Sequence, residues 1–498
     1  MFKQVSRRDF LKGTAAAAAG SLAVPYFSFG KVAVSKPLTR VLGRTGFEVT
    51  TLGLGGQASL QWTPEGVDPV AIIVKAVQQG VTYLDTSNVY GPSQQNFGKA
   101  FRALNLVPGL PGYDERRRRS LHLASKTMIR HAKGSSPNVQ DRTQGPPGSK
   151  AVDDLKRTMS LIFGDGQGNY PDSCYLDLFQ IHNLNTTAEA DAIFAGLENP
   201  DPQAERIGAL AALVDFRDGT NRTGLNPKRE KLIRHIGITG HISSPVLMEC
   251  LQRDEKQVID TMLIAINAND RRYLSHQYNA IPVARAKNVG IIAMKVFADG
   301  AMYTKDARWS RTAADVVQVV GTADLPSRPL IEYSLSTPGV ATAIIGIGRI
   351  DSEGRQCQIE QNLSAAQIRA ESFSETDRRD IEQIALRAKQ GQTNWFQLPR
   401  QPLGAPRDPA LTLETGTADR RLVKLTWQTA YAADEPITQY EIRRDSQVVG
   451  HVDHQPQTSK KPFVFTEVFD GKAHSYEVVT VDRAGRRAPS QPLQLNVS

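Results

Sequence analysis

Cysteine is scarce in this chain: Cys174, Cys250 and Cys357 are the only three among 498 residues. No two of them form a CxxC pair, which argues against a disulfide framework or a thiolate metal centre, and the thiols are expected to be buried fillers. No metal site is expected. Also missing is the Gly-x-Gly-x-x-Gly run between a strand and a helix that an open dinucleotide-binding sheet requires. The nearest run, Gly164-Asp165-Gly166-Gln167-Gly168-Asn169, lacks that flanking strand and helix and also lacks the acidic ligands of a calcium loop, so it predicts a turn. No internal repeat, long low-complexity tract or nucleic-acid module stands out. The net charge of +9 is a mild excess. Arg116-Arg117-Arg118-Arg119 reads as a solvated connector, and no nucleic-acid partner is expected.

A run of apolar residues long enough to cross a bilayer is absent from the amino-terminal region as well. Thr14 to Val24 is weakly apolar, Ala-rich and too short. It follows Ser6-Arg7-Arg8-Asp9-Phe10-Leu11-Lys12, whose paired arginines, Phe-Leu and Lys resemble a twin-arginine export signal. Residues 1–33 are therefore set apart as a signal peptide read by the twin-arginine translocation machinery, which implies a periplasmic or secreted protein. No clean small-x-small cleavage site follows, Ser28-Phe29-Gly30 being the candidate, and a retained signal would anchor the protein to the membrane.

From Leu52 onward strand and helix signals alternate. Strands are expected at Leu52–Gly55, before Asp85, before Lys126, before His182, and at Leu232–Ile238, Met262–Asn267, Gly290–Lys295 and Val340–Ile347, with helices near Pro69–Gln79, Gln94–Leu104, Ala151–Phe163, Ser244 onward and Tyr273–Lys287. Eight strands with intervening helices predict an α/β fold, a (β/α)8 TIM barrel, over 38–391. Chemistry in such a barrel sits at the carboxyl ends of its strands. Asp85 ends one apolar strand and Tyr90 stands in the loop after it; Lys126 and His182 end the next two. Each alone has a plain structural reading. Together, in the order Asp, Tyr, Lys, His, they resemble the tetrad of the aldo/keto reductase superfamily, and Val41-Leu-Gly-Arg-Thr-Gly46 through Gly56 resembles that family's opening.

The resemblance implies reduction of an aldehyde, ketone or sugar carbonyl by hydride transfer from a nicotinamide dinucleotide. Tyr90 would donate the proton, Lys126 would tune it, Asp85 would hold Lys126, and His182 would orient the carbonyl oxygen. An ammonium about 4 Å from the phenol, at an effective dielectric near 20, would favour its ionisation by roughly 4 kcal/mol. On the cofactor side the resemblance points to Asn183, Thr239 and Asn267 near the nicotinamide, to Gly346, Gly348 and Arg349 at the pyrophosphate, and to Gln358 and Asn362 near the adenosine. Arg349 or Arg355 would meet a 2′-phosphate. NADP is expected, with NAD the alternative. The Thr239-Gly240 pair departs from the family's Ser-Asn. Trp62, after the first barrel strand, is a candidate wall of the substrate pocket. Arg130–Lys150 and Asn183–Arg229, the latter with an apparent insertion at Asn199–Asn226, read as long loops shaping access.

After a helix at Ser374–Lys389, the proline-bearing stretch 392–409 reads as a linker. Short alternating runs at Leu422–Trp427, Ile437–Arg443, Val448-Val449, Phe463–Phe465 and Tyr476–Val481 then predict an antiparallel sandwich over 410–498. With Trp427, Tyr440 and Tyr476, it resembles a fibronectin type III module. It is expected to fold independently of the barrel and to offer a contact to a polysaccharide or surface. Two other functions remain open: a barrel that keeps the tetrad but serves as a weakly catalytic or non-catalytic surface binding protein, and a secreted glycoside hydrolase. The second needs two carboxylates at strand ends, and only Asp85 is found.

Overall fold

The computed structural model describes residues 36–269, 275–303, 306, 308–353, 357–388, 402–415 and 420–495. The signal segment, most of the expected linker and Arg355 therefore lie outside the described residues.

The chain enters through a hairpin, β1 (Thr39–Val41) and β2 (Glu48–Thr50), antiparallel with Arg40 opposite Val49. Eight parallel strands follow: β3 (Leu52–Gly55), β4 (Tyr83–Asp85), β5 (His122–Thr127), β7 (Leu176–Ile181), β9 (Ile233–Gly240), β10 (Thr261–Ala265), β11 (Gly290–Met294) and β12 (Val340–Ile345). They close in that order, β12 pairing β3 through Ala343 and Leu52. Period-two alternation sends Tyr83, Ala124, Leu178, Leu263, Ile292 and Ala341 inward, and Leu42, Phe47 and Val49 of the hairpin pack into that layer as a plug.

Around the barrel run α1 (Pro69–Gln78), α2 (Ser93–Ala103), α3 (Glu115–Arg119), α4 (Ala151–Phe163), α5 (Thr187–Phe194), α6 (Ala209–Asp218), α7 (Ser244–Arg253), α8 (Ala280–Ala286), α9 (Ser327–Ser336), α10 (Gln358–Ala365) and α11 (Glu375–Ala388). Their starts follow from the sequence. Asp68 accepts from the amides of Val70 and Ala71 ahead of Pro69, and Thr186 with Glu189 forms a reciprocal capping box.

Two expectations change here. Asn183–Arg229 is not a loop: it holds α5, α6 and a short strand β8 (Ile207–Gly208), which pairs antiparallel with β6 (His131–Lys133), tying it to the 130–150 segment. The apparent insertion thus contains α6, buried on nearly every side. The arginine run is not a solvated connector throughout, because it forms α3 and Arg118 is fully buried, donating to Asp177 at 2.9 Å. The predicted turn at 164–169 does form, with Asp165 Oδ1 accepting from the amides of Gln167 and Asn169. All three thiols are buried.

The carboxyl-terminal region is all antiparallel. One sheet is β13 (Arg407–Thr415), β14 (Arg421–Gln428) and β17 (Phe463–Val468). The other is β16 (Gln447–Asp453), β15 (Ile437–Arg444), β18 (Ser475–Asp482) and β19 (Arg487–Pro489), with β20 (Leu493–Gln494) on β18. Trp427, Tyr440, Ile442, Tyr476 and Val478 fill the space between them. The first strand starts at Arg407, inside the expected linker.

This sandwich does not hang free of the barrel. Gln252 of α7 donates to the Gln457 carbonyl at 2.9 Å, Asn279 bonds both backbone groups of Ala432, and Tyr278 packs on the sandwich core. The expected independent module thus shares an interface with the barrel, where α7 and the turn before α8 bury polar and apolar groups against the sandwich.

Candidate active site

Asp85 is the last residue of β4, and Lys126 is the penultimate residue of β5; both side chains face the barrel interior and neither is exposed. The Lys126 ammonium is paired with Asp85 Oδ1 and donates to the Thr86 carbonyl at 2.8 Å. Gln180, two residues before His182 on the same face of β7, donates to Asp85 Oδ2 at 3.3 Å. Burial pushes the Asp85 carboxyl up and the Lys126 ammonium down, and each charge opposes the other's neutralisation. Close approach at this point needs a glycine: a Cβ on Gly56 would lie 2.4 Å from the Asp85 carbonyl oxygen.

Tyr90 stands in the turn between β4 and α2, and that turn is pinned. The Asn88 amide donates to the Lys126 carbonyl at 3.0 Å, the Thr86 and Ser93 hydroxyls meet at 2.8 Å, and the Asn88 side chain donates to the Asp154 carbonyl at 2.9 Å. The Tyr90 hydroxyl faces His182 Nε2 at 3.5 Å, and Ser87 Oγ lies 3.1 Å from His182 Nδ1. Lys126 Nζ lies 4.9 Å from the centroid of the Tyr90 ring.

The expected tuning does not take the expected form. Burial, followed by the charges of Asp85 and Asp299, raises the Tyr90 phenol well above its ordinary value. Lys126 spends its donors on Asp85 and Thr86 and meets the ring, so desolvation outweighs its field. His182 is driven well below its ordinary value, first by burial and then by Lys126, and is a neutral imidazole.

Beyond the tetrad, the mouth is covered by side chains that were not singled out from the sequence. His241, one residue past β9, lies 6.4 Å from His182 between ring centroids and meets Trp309 edge-on at 5.1 Å. Lys295, one residue past β11, donates to Gln57 at 2.8 Å and to Asp299 at 3.3 Å, and stands over Trp309. The rule that flagged Lys126 and His182, a polar residue at a strand's carboxyl end, flags His241 and Lys295 equally. Period two from His182 flags Gln180. Trp309 has no such signal.

The remaining candidates divide. Asn183 takes a left-handed φ of 59°, which asparagine tolerates, and its backbone N–H donates to Thr239 Oγ1 at 2.8 Å, joining two of them. Asn267 is committed within the chain, donating to the Lys295 carbonyl and accepting from the Asn269 amide. Gly346, Gly348 and Arg349 form the loop after β12. The Gly348 amide donates to Gln358 at 2.9 Å, and a Cβ there would stand 2.2 Å from the Val317 carbonyl. Arg349 is drawn to Asp351 at 3.4 Å. Trp62 is half-buried on the turn after β3, whereas the indole that meets a site histidine is Trp309.

Residues 51–385 match the model of the aldo/keto reductase family. The chain belongs to the aldo/keto reductase family. It is accordingly an oxidoreductase, and the match spans all eight barrel strands. Residues 4–23 match the twin-arginine translocation signal, which marks the reductase for export by that route. No curated protein matches the chain significantly. Among solved structures, an aldo/keto reductase from Klebsiella pneumoniae in complex with NADP and acetate aligns at 16% identity, covering 70% of this chain and 95% of that one, with a TM-score of 0.41. A putative aldo-keto reductase from Pseudomonas aeruginosa aligns at 17% identity over 66% of this chain and 98% of that one, with a TM-score of 0.37.

The family implies a nicotinamide dinucleotide, and the described residues fit one at its two ends. Both polar atoms of the Asn362 side chain, midway along α10, are buried without a partner, and Asn183 Oδ1 is likewise unpartnered beside His182. Buried amide groups left unbonded are costly, and an incoming ligand's polar edge would satisfy them.

Proposed function

We propose that this exported reductase transfers a hydride from bound NADP(H) to a small carbonyl substrate, with Tyr90 as the proton donor. The observation that carries the reading is the convergence of Asp85, Tyr90, Lys126 and His182 at three successive strand ends, with the Lys126–Asp85 ion pair fully buried. Supply of the hydride is the one task left to the dinucleotide. The chain's own residues account for the proton. Tyr90 is held protonated by burial, so it reaches a carbonyl oxygen as a donor. Ser87 donating to Nδ1 of the neutral His182 leaves Nε2–H pointing at the Tyr90 hydroxyl, where it orients the same oxygen. As the proton leaves, Lys126 beneath the ring opposes the charge that develops on the phenolate.

Asn183 and Thr239 would hold the nicotinamide end, Gly346, Gly348 and Arg349 the phosphates, and Gln358 and Asn362 the adenosine end. Asn267 would act by positioning Lys295's backbone. NADP is preferred over NAD because Arg349 is a basic group on the phosphate loop. Trp62, on the turn after β3, is read as a wall of the substrate pocket. The sandwich is read as fibronectin type III-like on its Trp427–Tyr440–Tyr476 core. The glycoside-hydrolase alternative is disfavoured: Asp85 lies under Lys126, and the second carboxylate at the mouth, Asp299, is tied to Lys295 and to Ser310 at 2.8 Å.

Export of folded protein to a space with little free nucleotide implies that the dinucleotide is loaded beforehand and released slowly. Purified protein is denatured and the released small molecules are examined by absorbance and mass spectrometry. About one nicotinamide nucleotide per chain is the expected result, and the Arg7→Lys, Arg8→Lys precursor should carry the same nucleotide in the cytoplasm. Protein stripped by minutes of equilibrium dialysis would contradict retention, and no nucleotide affinity at all would contradict the reductase reading.

A further inference from the structure

Asn279 stands at the position that usually caps a helix, immediately before α8, yet its side chain accepts nothing from that helix. Asparagine there ordinarily accepts from an amide in the first turn. Asn279 Oδ1 instead accepts from the Ala432 amide of the sandwich at 2.9 Å, and its Nδ2 donates to the Ala432 carbonyl at 3.0 Å. The same Nδ2 also donates to the Ser275 carbonyl at 2.8 Å, so one buried amide joins the sandwich to the turn that opens at Ser275.

That turn carries His276. Burial lowers the imidazole to about 4, so it is neutral. Its Nε2 faces the His241 carbonyl at 3.2 Å and must carry the hydrogen, because a carbonyl can only accept. Its Nδ1 then accepts from the Ser244 hydroxyl at 2.6 Å, at the start of α7. His241, held by its own carbonyl, lays its ring between His182 and Trp309. Buried hydrogen bonds, with the Ser275–His276 peptide link between them, therefore join a backbone unit of the sandwich to the backbone carbonyl of His241, the residue whose ring stands next to the candidate carbonyl-orienting histidine.

We propose that the sandwich is a working part of the substrate site: Ala432, through Asn279 and the His276 turn, sets the position of His241 at the catalytic mouth. Asn279 is thus a positioning residue, and His241 a specificity-determining wall. This rests on the reductase reading for its kinetic consequence, but the mechanical link stands apart from it. The placement explains why a reductase barrel retains the module through a buried interface instead of a bare tether.

A control is built into the interface. Gln252 makes a comparably buried bond to the Gln457 carbonyl, also joins barrel to sandwich, and lies at the far end of α7 from Ser244. The test uses the full-length protein with Asn279→Ala, with Asn279→Asp, which keeps the acceptor but turns a carboxylate oxygen toward the two carbonyls that Nδ2 serves, and with Gln252→Ala. Backbone hydrogen exchange is read over 236–245, alongside KM and kcat for an aldehyde the wild type reduces.

Both Asn279 variants should speed exchange in 236–245 and raise KM by about twofold to thirtyfold with kcat changed less than about twofold. Gln252→Ala should leave that segment and KM unchanged while lowering thermal stability. Unchanged exchange in the Asn279 variants, or an equal change in Gln252→Ala, overturns the link. Faster exchange with unaltered KM overturns the assignment of His241 as a substrate wall. Should wild type reduce no carbonyl, the reductase reading falls, and the exchange result still decides the link by itself.

Discussion

Lys126 lies beneath the ring of Tyr90, 4.9 Å from its centroid, and gives its hydrogen bonds to Asp85 and the Thr86 carbonyl. A lysine aimed at the phenol oxygen would favour the phenolate in the resting state. One under the ring leaves the phenol protonated in the resting state and acts only as negative charge appears on it. The site is therefore organised to keep Tyr90 as a protonated, neutral donor.

The pH dependence of turnover follows. Tyr90 is raised well above its ordinary value and His182 lowered well below its own, so neither changes protonation between about pH 6 and pH 9. The kcat profile over that interval should be flat. A break near pH 7 in steady-state assays would show that one of them titrates in the working enzyme.

Removing the ammonium should hurt stability as well as rate. Lys126→Met leaves Asp85 buried with only Gln180 as a side-chain donor among the described residues, which should cost about 3–5 kcal/mol and lower turnover. Paired replacement, Lys126→Met with Asp85→Leu, should recover stability and leave activity lost. Denaturant unfolding separates the two effects.

Asp154 gives a stability signature behind the site. Its oxygens accept from Thr127 and Thr143 at 2.6 Å each, and burial raises it from 3.8 to about 6. The folded state thus binds this proton more tightly than the unfolded chain does. The stabilisation is complete below about pH 4 and is lost as pH rises through about 6, amounting to about 3 kcal/mol. Asp154→Asn should remove that part of the slope in urea midpoints measured from pH 4 to pH 7.

Ending the chain near Gln401 should damage the barrel. Truncation exposes Tyr278 and removes the sandwich partners of Gln252 and Asn279. The midpoint of thermal unfolding should fall by at least about 5 °C. An unchanged midpoint by calorimetry would restore the independent-module expectation.

The barrel was legible because each strand is a short apolar run closed by turn residues, and because parallel strands buried on both faces leave continuous hydrophobic signals. All eight expected strands form, within a residue or two of their bounds. Asp85, Tyr90, Lys126 and His182 were legible because strand ends concentrate chemistry in this fold. α6 was missed because a helix buried all round has no amphipathic period to read. The arginine run misled because composition cannot tell Arg118, enclosed by Phe101, Phe163 and Tyr175, from its solvated neighbours. Trp309 and the Asn279–Ala432 bond depend on contacts between distant segments, which no local pattern carries.

The central claim is that Tyr90 protonates a carbonyl as a hydride arrives from the nicotinamide ring. Wild-type and Tyr90→Phe proteins are incubated with NADPH carrying deuterium at C4 and a panel of aldehydes, and the alcohols are examined by NMR. Wild type should place deuterium on the carbinol carbon, and Tyr90→Phe should do so at least about a hundredfold more slowly while binding the nucleotide equally well. Equal transfer by the two proteins, or no deuterated alcohol from wild type with any aldehyde, would contradict the account.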